Sequence, residues 1–194
     1  MMNRRHALLA GAAAVAGGTL AAAALRRKPP EVLVLGEPAA PRPQPLGSIV
    51  EQDPPRIPAE ASFTDEAGAP ATLASFAGKG LVVNLWATWC APCVAEMPAL
   101  QALAHIVAAE GILVLPVSSD RGGAEVVRQF YAAHDITALP VWLDPKGEAG
   151  RAWGARGLPT TLLIDRQGRE RARLEGAADW ASPDTVAAVR RLTG

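Results

Sequence analysis

Three kinds of hydrophobic pattern follow one another along the chain. The first is an uncharged run, residues 7–25, made mostly of Ala and Gly, with Leu8, Leu9, Val15, Leu20 and Leu25 as its strongly apolar members. The second, residues 29–58, holds nine of the 17 prolines and one brief apolar run at 32–35. That density favours extended backbone over a packed core and reads as a linker. From about residue 60 short apolar runs alternate with segments of helical period. Residues 63–68 (FTDEAG) carry a turn signature between extended pieces and predict a hairpin or cap at the start of a domain. Residues 81–86 (LVVNLW) fit a buried strand. Beyond them Met97, Leu100, Leu103, Ala104 and Val107 share one face of a helix over 94–110, which Gly111 ends. A second buried strand is expected at 112–117, and a helix at 123–134 with Val126, Val127, Phe130 and Tyr131 facing in. A brief strand at 141–143 and a brief helix at 148–153 follow. Residues 160–164 and 169–175 form a hairpin about a turn at 165–168. The last helix covers 182–192, with Ser182 as N-cap and Pro183 at the first helical position. Strands alternating with helices, closed by a hairpin and a helix, predict an α/β domain with a central mixed sheet over residues 59–194.

Composition and charge sharpen the ends of this picture. Hydrophobic residues are 49% and charged residues 20% of a 194-residue chain, a balance suited to one well-cored domain and a tail. The formal charge of zero conceals an asymmetry, because residues 1–28 carry Arg4, Arg5, Arg26, Arg27 and Lys28 and no acid. The rest has 14 basic against 19 acidic residues, about −5, so there is no phosphate-tracking surface and no nucleic-acid partner is expected. A basic start, an uncharged stretch and a small-residue run at 21–24 read as an export signal or membrane anchor, with residues 7–25 just long enough to span a bilayer. The Arg4–Arg5 pair ahead of an Ala/Gly run resembles a twin-arginine export signal, which implies a periplasmic or inner-membrane-anchored protein.

Both cysteines lie in WATWCAPCVAEMP, residues 86–98, at the junction of a central strand and a helix. A structural zinc site needs four protein ligands. The histidines are His6, His105 and His134; His6 falls in the export segment, and His105 stands about three helical turns beyond Cys93. Haem attachment needs a histidine directly after the second cysteine, where Val94 stands. A purely structural cross-link over so short a ring removes little chain entropy. A redox-active disulfide, Cys90–Cys93, is the reading that spacing, position and export context share, with no metal or other cofactor expected. Cys90, at the helix N-terminus, is expected to be the exposed nucleophile, its thiolate favoured by free N–H groups and the helix dipole. Cys93, one turn further in, is expected to be the buried resolving thiol, and Pro92 stiffens the turn without costing a hydrogen bond. A Cu(I) metallochaperone using the two thiolates is the alternative from another class, although no Met-rich or His-rich run accompanies them. A thiol peroxidase would use a solitary activated cysteine in a different context.

Residues 86–93 (WATWCAPC) resemble the active-site signature of the thioredoxin superfamily, and residues 157–161 (GLPTT) resemble its cis-proline loop. More narrowly, Asn84 to Cys90 with Glu96, Met97 and Pro98 resemble the TlpA/ResA-type thiol:disulfide oxidoreductases, as do residues 143–148 and 163–168. The resemblance covers residues 58–194. It implies a thioredoxin fold with an N-terminal hairpin and a family insert within residues 116–145. It also implies a cis Pro159 that leaves the Leu158 backbone free to pair with a substrate segment, and Trp86 and Trp89 around the site. Substrate contacts are thus expected at Trp89, Pro92, Leu158 and Pro159, and Trp142, Trp153 and Trp180 are expected to pack in or near the core. Many thioredoxins have a buried acid six residues before the first cysteine; here that position is Asn84, which cannot titrate. Glu96, three residues after Cys93 on the same helical face, is the candidate to supply the missing proton relay, the alternative being a solvated acid near a helix start. Superfamily oxidants often carry a histidine where Pro92 stands, so a reductant is favoured. The resemblance then implies client proteins whose disulfides are reduced during cytochrome c or copper-site maturation, with a membrane thiol reductase as electron donor. A general thiol oxidase or isomerase is the runner-up with the same chemistry.

Overall fold

The computed structural model describes residues 49–194. The segment expected to be an export signal or anchor, and the expected linker as far as residue 48, lie outside the described residues. Among the described residues eight strands form one mixed sheet: β1 (Ile49–Arg56), β2 (Phe63–Asp65), β3 (Pro70–Ala71), β4 (Gly80–Trp86), β5 (Ile112–Ser118), β6 (Trp142–Leu143), β7 (Thr160–Ile164) and β8 (Glu170–Glu175), in spatial order β1-β8-β7-β4-β5-β6-β2-β3. β4, β5 and β6 are parallel, and the other pairings are antiparallel. The helices are α1 (Ala91–Val107), α2 (Gly123–Ala133), α3 (Glu148–Ala152) and α4 (Pro183–Thr193).

The sheet divides two apolar layers. On one side Val82 and Trp86 of β4 pack with Met97, Leu100, Leu103 and Val107 of α1 and with Val186, Val189 and Leu192 of α4. On the other Leu81, Val83 and Leu85 pack with Phe63, Leu115, Trp153, Leu162 and Ile164. All seven residues of β4 are buried, as a strand covered on both faces requires, which is why it reads as an unbroken apolar run. The order β4-α1-β5, then α3-β7-β8-α4, is the thioredoxin arrangement, with α2 and β6 as the added crossover expected within residues 116–145. The N-terminal hairpin β2–β3 is present and extends the sheet beyond β6. Gly111 ends the 3-10 turn after α1 with φ 70°, a left-handed conformation that suits glycine. Ser182 caps α4 by accepting from the Thr185 amide, with Pro183 next, as its sequence indicates. One helical segment, Ala91–Glu110, is long and apolar enough to cross a membrane by length and composition, and it is the core helix that packs on the sheet.

Two expectations change. Val126 and Phe130 are only half-buried, and Val127 and Tyr131 make the inner face of α2. The linker reading fails over Ile49–Arg56, which pairs antiparallel with β8, so the folded domain already includes Ile49, ten residues before residue 59. Proline is tolerated there because β1 is an edge strand with a register shift between Glu51 and Arg56. Arg56 then fastens the strand's end by a bidentate pair to Glu170.

Candidate active site

β4 ends at Trp86 and delivers the chain into the turn that carries both cysteines. Cys90 is the N-cap of α1 (φ −91°, ψ 98°), its carbonyl accepts from the Val94 amide at 3.0 Å, and Ala91 and Pro92 open the helix. The two cysteines are joined by a disulfide, with Cα atoms 5.2 Å apart. Cys93 is 0% exposed and Cys90 6%, so Cys90 is the nearer to solvent but is not the exposed residue its position suggested. The exposed group is its neighbour, Trp89, at 70%. Trp86 is instead wholly buried, stacked on Tyr131 and tilted against Phe130 of α2, so the added crossover builds the floor of the site.

The turn before the disulfide is held by Asp120, at the end of β5. Its carboxylate accepts from the Thr88 amide at 2.9 Å, the Thr88 hydroxyl at 2.8 Å and the Ser118 hydroxyl at 2.7 Å. Opposite lies the loop before β7. Thr160 pairs with Leu85, so Pro159 falls level with Trp86 at the disulfide end of the sheet. The Leu158–Pro159 peptide is cis, Pro159 is buried, and Leu158 packs partly buried against the cluster holding Cys90 and Cys93. Leu158 enters no backbone hydrogen bond among the described residues. Pro92 is half-buried at the start of α1.

Glu96 sits one turn beyond Cys93 and is 0% exposed, which excludes the solvated-acid alternative. Its Oε1 accepts from Asn84 Nδ2 at 2.9 Å, and its Oε2 accepts from the Ala178 amide at 3.0 Å and from Trp180 Nε1 at 2.8 Å. Burial lifts its pKa from 4.5 to about 7, against the opposing pull of those three N–H donors. Among the described residues no cation contacts it. Asn84 also donates to Thr161 Oγ1 at 2.9 Å. Trp180 therefore holds the acid as well as filling the core. Sequence reasoning missed Thr161, Ala178, Trp180, Asp120, Thr88 and Ser118 as parts of this site. Thr88 and Thr161 stand inside the two quoted motifs, and Asp120, a lone acid just beyond a buried strand, also left a signal that could have been followed. Among the described residues no group of three His, Cys, Asp or Glu side chains gathers to hold a metal ion.

The sequence matches the profile of the AhpC/TSA family over residues 55–172, more than half of the chain. The chain belongs to the AhpC/TSA family. It is similar to the thiol-disulfide oxidoreductase ResA of Bacillus thuringiensis subsp. konkukian (strain 97-27), 34% identical over 113 residues that cover 58% of this chain and 64% of that protein. It is also similar to the thiol:disulfide interchange protein DsbE of Pseudomonas aeruginosa, 32% identical over 108 residues, 56% of this chain and 57% of that one. The chain thus spans less than two thirds of the length of these curated relatives. Among solved structures, a thiol:disulfide interchange protein of the thioredoxin family from Chlorobium tepidum TLS superposes with a TM-score of 0.58 at 26% identity, covering 72% of this chain and 97% of that one. These likenesses bear out the thioredoxin-like, ResA-type resemblance drawn from the motifs.

Proposed function

We propose that the protein is a thiol:disulfide oxidoreductase that exchanges electrons with client proteins through the Cys90–Cys93 pair, which serves as its whole redox group. The observation that carries this reading is the disulfide between Cys90, at a helix N-terminus and the nearer of the two to solvent, and a fully buried Cys93, flanked by the exposed Trp89. In the dithiol form the free N–H groups of α1 favour the Cys90 thiolate, which attacks a client disulfide and expels one client thiolate. Cys93 then loses its proton and attacks Cys90, re-forming the internal disulfide and releasing the second client thiolate. Two electrons pass to the client. Glu96, buried and poised near neutrality, takes up the Cys93 proton. Trp89, Pro92, Leu158 and Pro159 form the surface that receives the client segment.

Pro92 adds no charge beside Cys90, which favours a reductant over a strong oxidant. With the export features of residues 1–28, this suggests an extracytoplasmic reductase supplied by a membrane thiol reductase, acting on cysteines destined for haem or copper. The test is Cys93→Ser in the full chain, which stalls the reaction at the mixed disulfide on Cys90. Covalent capture of exported cytochrome c or copper-site precursors is the expected result. Absence of any Cys90-dependent capture, together with no redox equilibration of the unaltered protein with glutathione, would overturn the reading.

A further inference from the structure

Asn84 lies in the middle of β4, fully buried. Both of its amide hydrogens are committed, one to Glu96 Oε1 and one to Thr161 Oγ1. Its Oδ1 is buried as well and accepts from no donor among the described residues. A buried acceptor left unpaired costs on the order of 1–3 kcal/mol, so such an atom calls for an explanation. Turning the amide over does not repair it: two N–H groups would then occupy the place of one carbonyl, a worse deficit.

The surroundings of that oxygen suggest its partner. Side chains alternate along a strand, so Asn84 shares a face of β4 with Val82 and Trp86. Those two residues belong to the apolar cluster that contains Cys90, Cys93 and Met97. Glu96, held by the same amide, is one helical turn from Cys93. Asn84 therefore faces the layer between β4 and the first turns of α1, where the Cys93 sulfur is buried. In the disulfide that sulfur has no hydrogen to give. When two electrons and two protons open the bond, Cys93 becomes a buried thiol whose S–H is a weak donor.

We infer that Asn84 is a positioning residue for thiol–disulfide exchange, its Oδ1 accepting the S–H of Cys93 in the dithiol form. The acceptor without a donor in the oxidised protein is then the one the reduced protein uses. Asn84 holds the Cys93 hydrogen on one side and Glu96 on the other, keeping the buried sulfur protonated until the mixed disulfide forms on Cys90. The inference rests on the exchange reading above and adds to it a reason for a non-titrating amide at this position. It also favours the dithiol, since only that form makes the bond.

The chain has two cysteines, so Cys90→Ser leaves Cys93 as its single thiol. The infrared S–H stretch of that full-length variant is expected at the lowered frequency of a hydrogen-bonded thiol. It should return to the free-thiol position when Asn84→Leu is added. In the chain with both cysteines, Asn84→Leu should move the glutathione equilibrium toward the disulfide by about fivefold, the worth of one net hydrogen bond. A free-thiol band in Cys90→Ser with Asn84 intact overturns the inference, and that spectrum needs no folded Asn84 variant. Failure of the unaltered protein to exchange with glutathione overturns the exchange reading instead, so the two failures are separable.

Discussion

Glu96 and Glu170 are both almost perfectly buried glutamates, at 0% and 1% exposure, and their environments push them in opposite directions. Among the described residues Glu96 meets three neutral N–H donors and no cation, and burial raises its pKa to about 7. For Glu170 burial also pushes upward, but hydrogen bonds and charge from Arg173 and Arg56 outweigh it and hold the carboxyl below its ordinary range. Depth alone does not decide how a buried acid behaves; whether a cation is buried with it does. The first acid can release and accept a proton near neutrality beneath the disulfide. The second stays ionised and clamps the edge strand β1 to the sheet.

The comparison breaks most sharply if Glu170 loses its cation. Arg173 is the more enclosed of its two partners, with a side chain 11% exposed, but Arg56 also pairs with the carboxylate, so the double variant Arg173→Met/Arg56→Met should cost about 3–5 kcal/mol in urea unfolding, the penalty of a stranded buried charge, and Arg173→Met alone less. The loss should shrink as the pH falls and Glu170 takes up a proton. The next effect concerns Glu96. Its folded pKa of about 7 exceeds the unfolded 4.5, so between these values the folded protein holds a proton that the unfolded chain has lost. The corresponding stability is fully present below about pH 4.5 and is lost as pH rises through about 7, by roughly 3 kcal/mol. Glu96→Gln should remove that slope, which unfolding of the disulfide form at about pH 5 and about pH 8 will measure. The same variant should slow thiol exchange and flatten its pH–rate profile near neutrality. The smallest effect is expected for Trp180→Phe, which keeps the ring in the core but removes one donor to Glu96. The midpoint of the pH–rate profile should rise by less than one unit, about 1 kcal/mol, with the fold intact. An unchanged midpoint would mean that the indole does not tune the acid.

What the sequence disclosed here is what travels in short stretches. Cys90, Cys93, Pro92 and Glu96 lie within about two helical turns, and their spacing alone puts them on one helix start. The alternation of runs also predicted β4, β5, α1 and the terminal hairpin and helix. The proton-holding environment of Glu96 was hidden, because its donors arrive from Asn84 on β4 and from Ala178 and Trp180, 82 and 84 positions away. An alanine amide and a core tryptophan carry no local mark of such a role. Asp120 was hidden for the same reason, reaching Thr88 across 32 positions. The strand at Ile49–Arg56 was masked differently: its prolines argue against a ladder, and only the ion pair to Glu170 and an edge position make one possible.

The long separation between Glu96 and its donors also sets an order in time. A growing chain leaves the ribosome N-terminus first. Both cysteines, the strand before them and the helix after them are therefore made well before Ala178 and Trp180. A nascent domain that has everything up to β8 already owns its dithiol but lacks two of the three N–H groups that hold Glu96. The tuned acid, and with it the proton step proposed for exchange, is completed only by the segment leading into α4. Synthesis thus withholds a finished redox site until the domain itself is nearly whole.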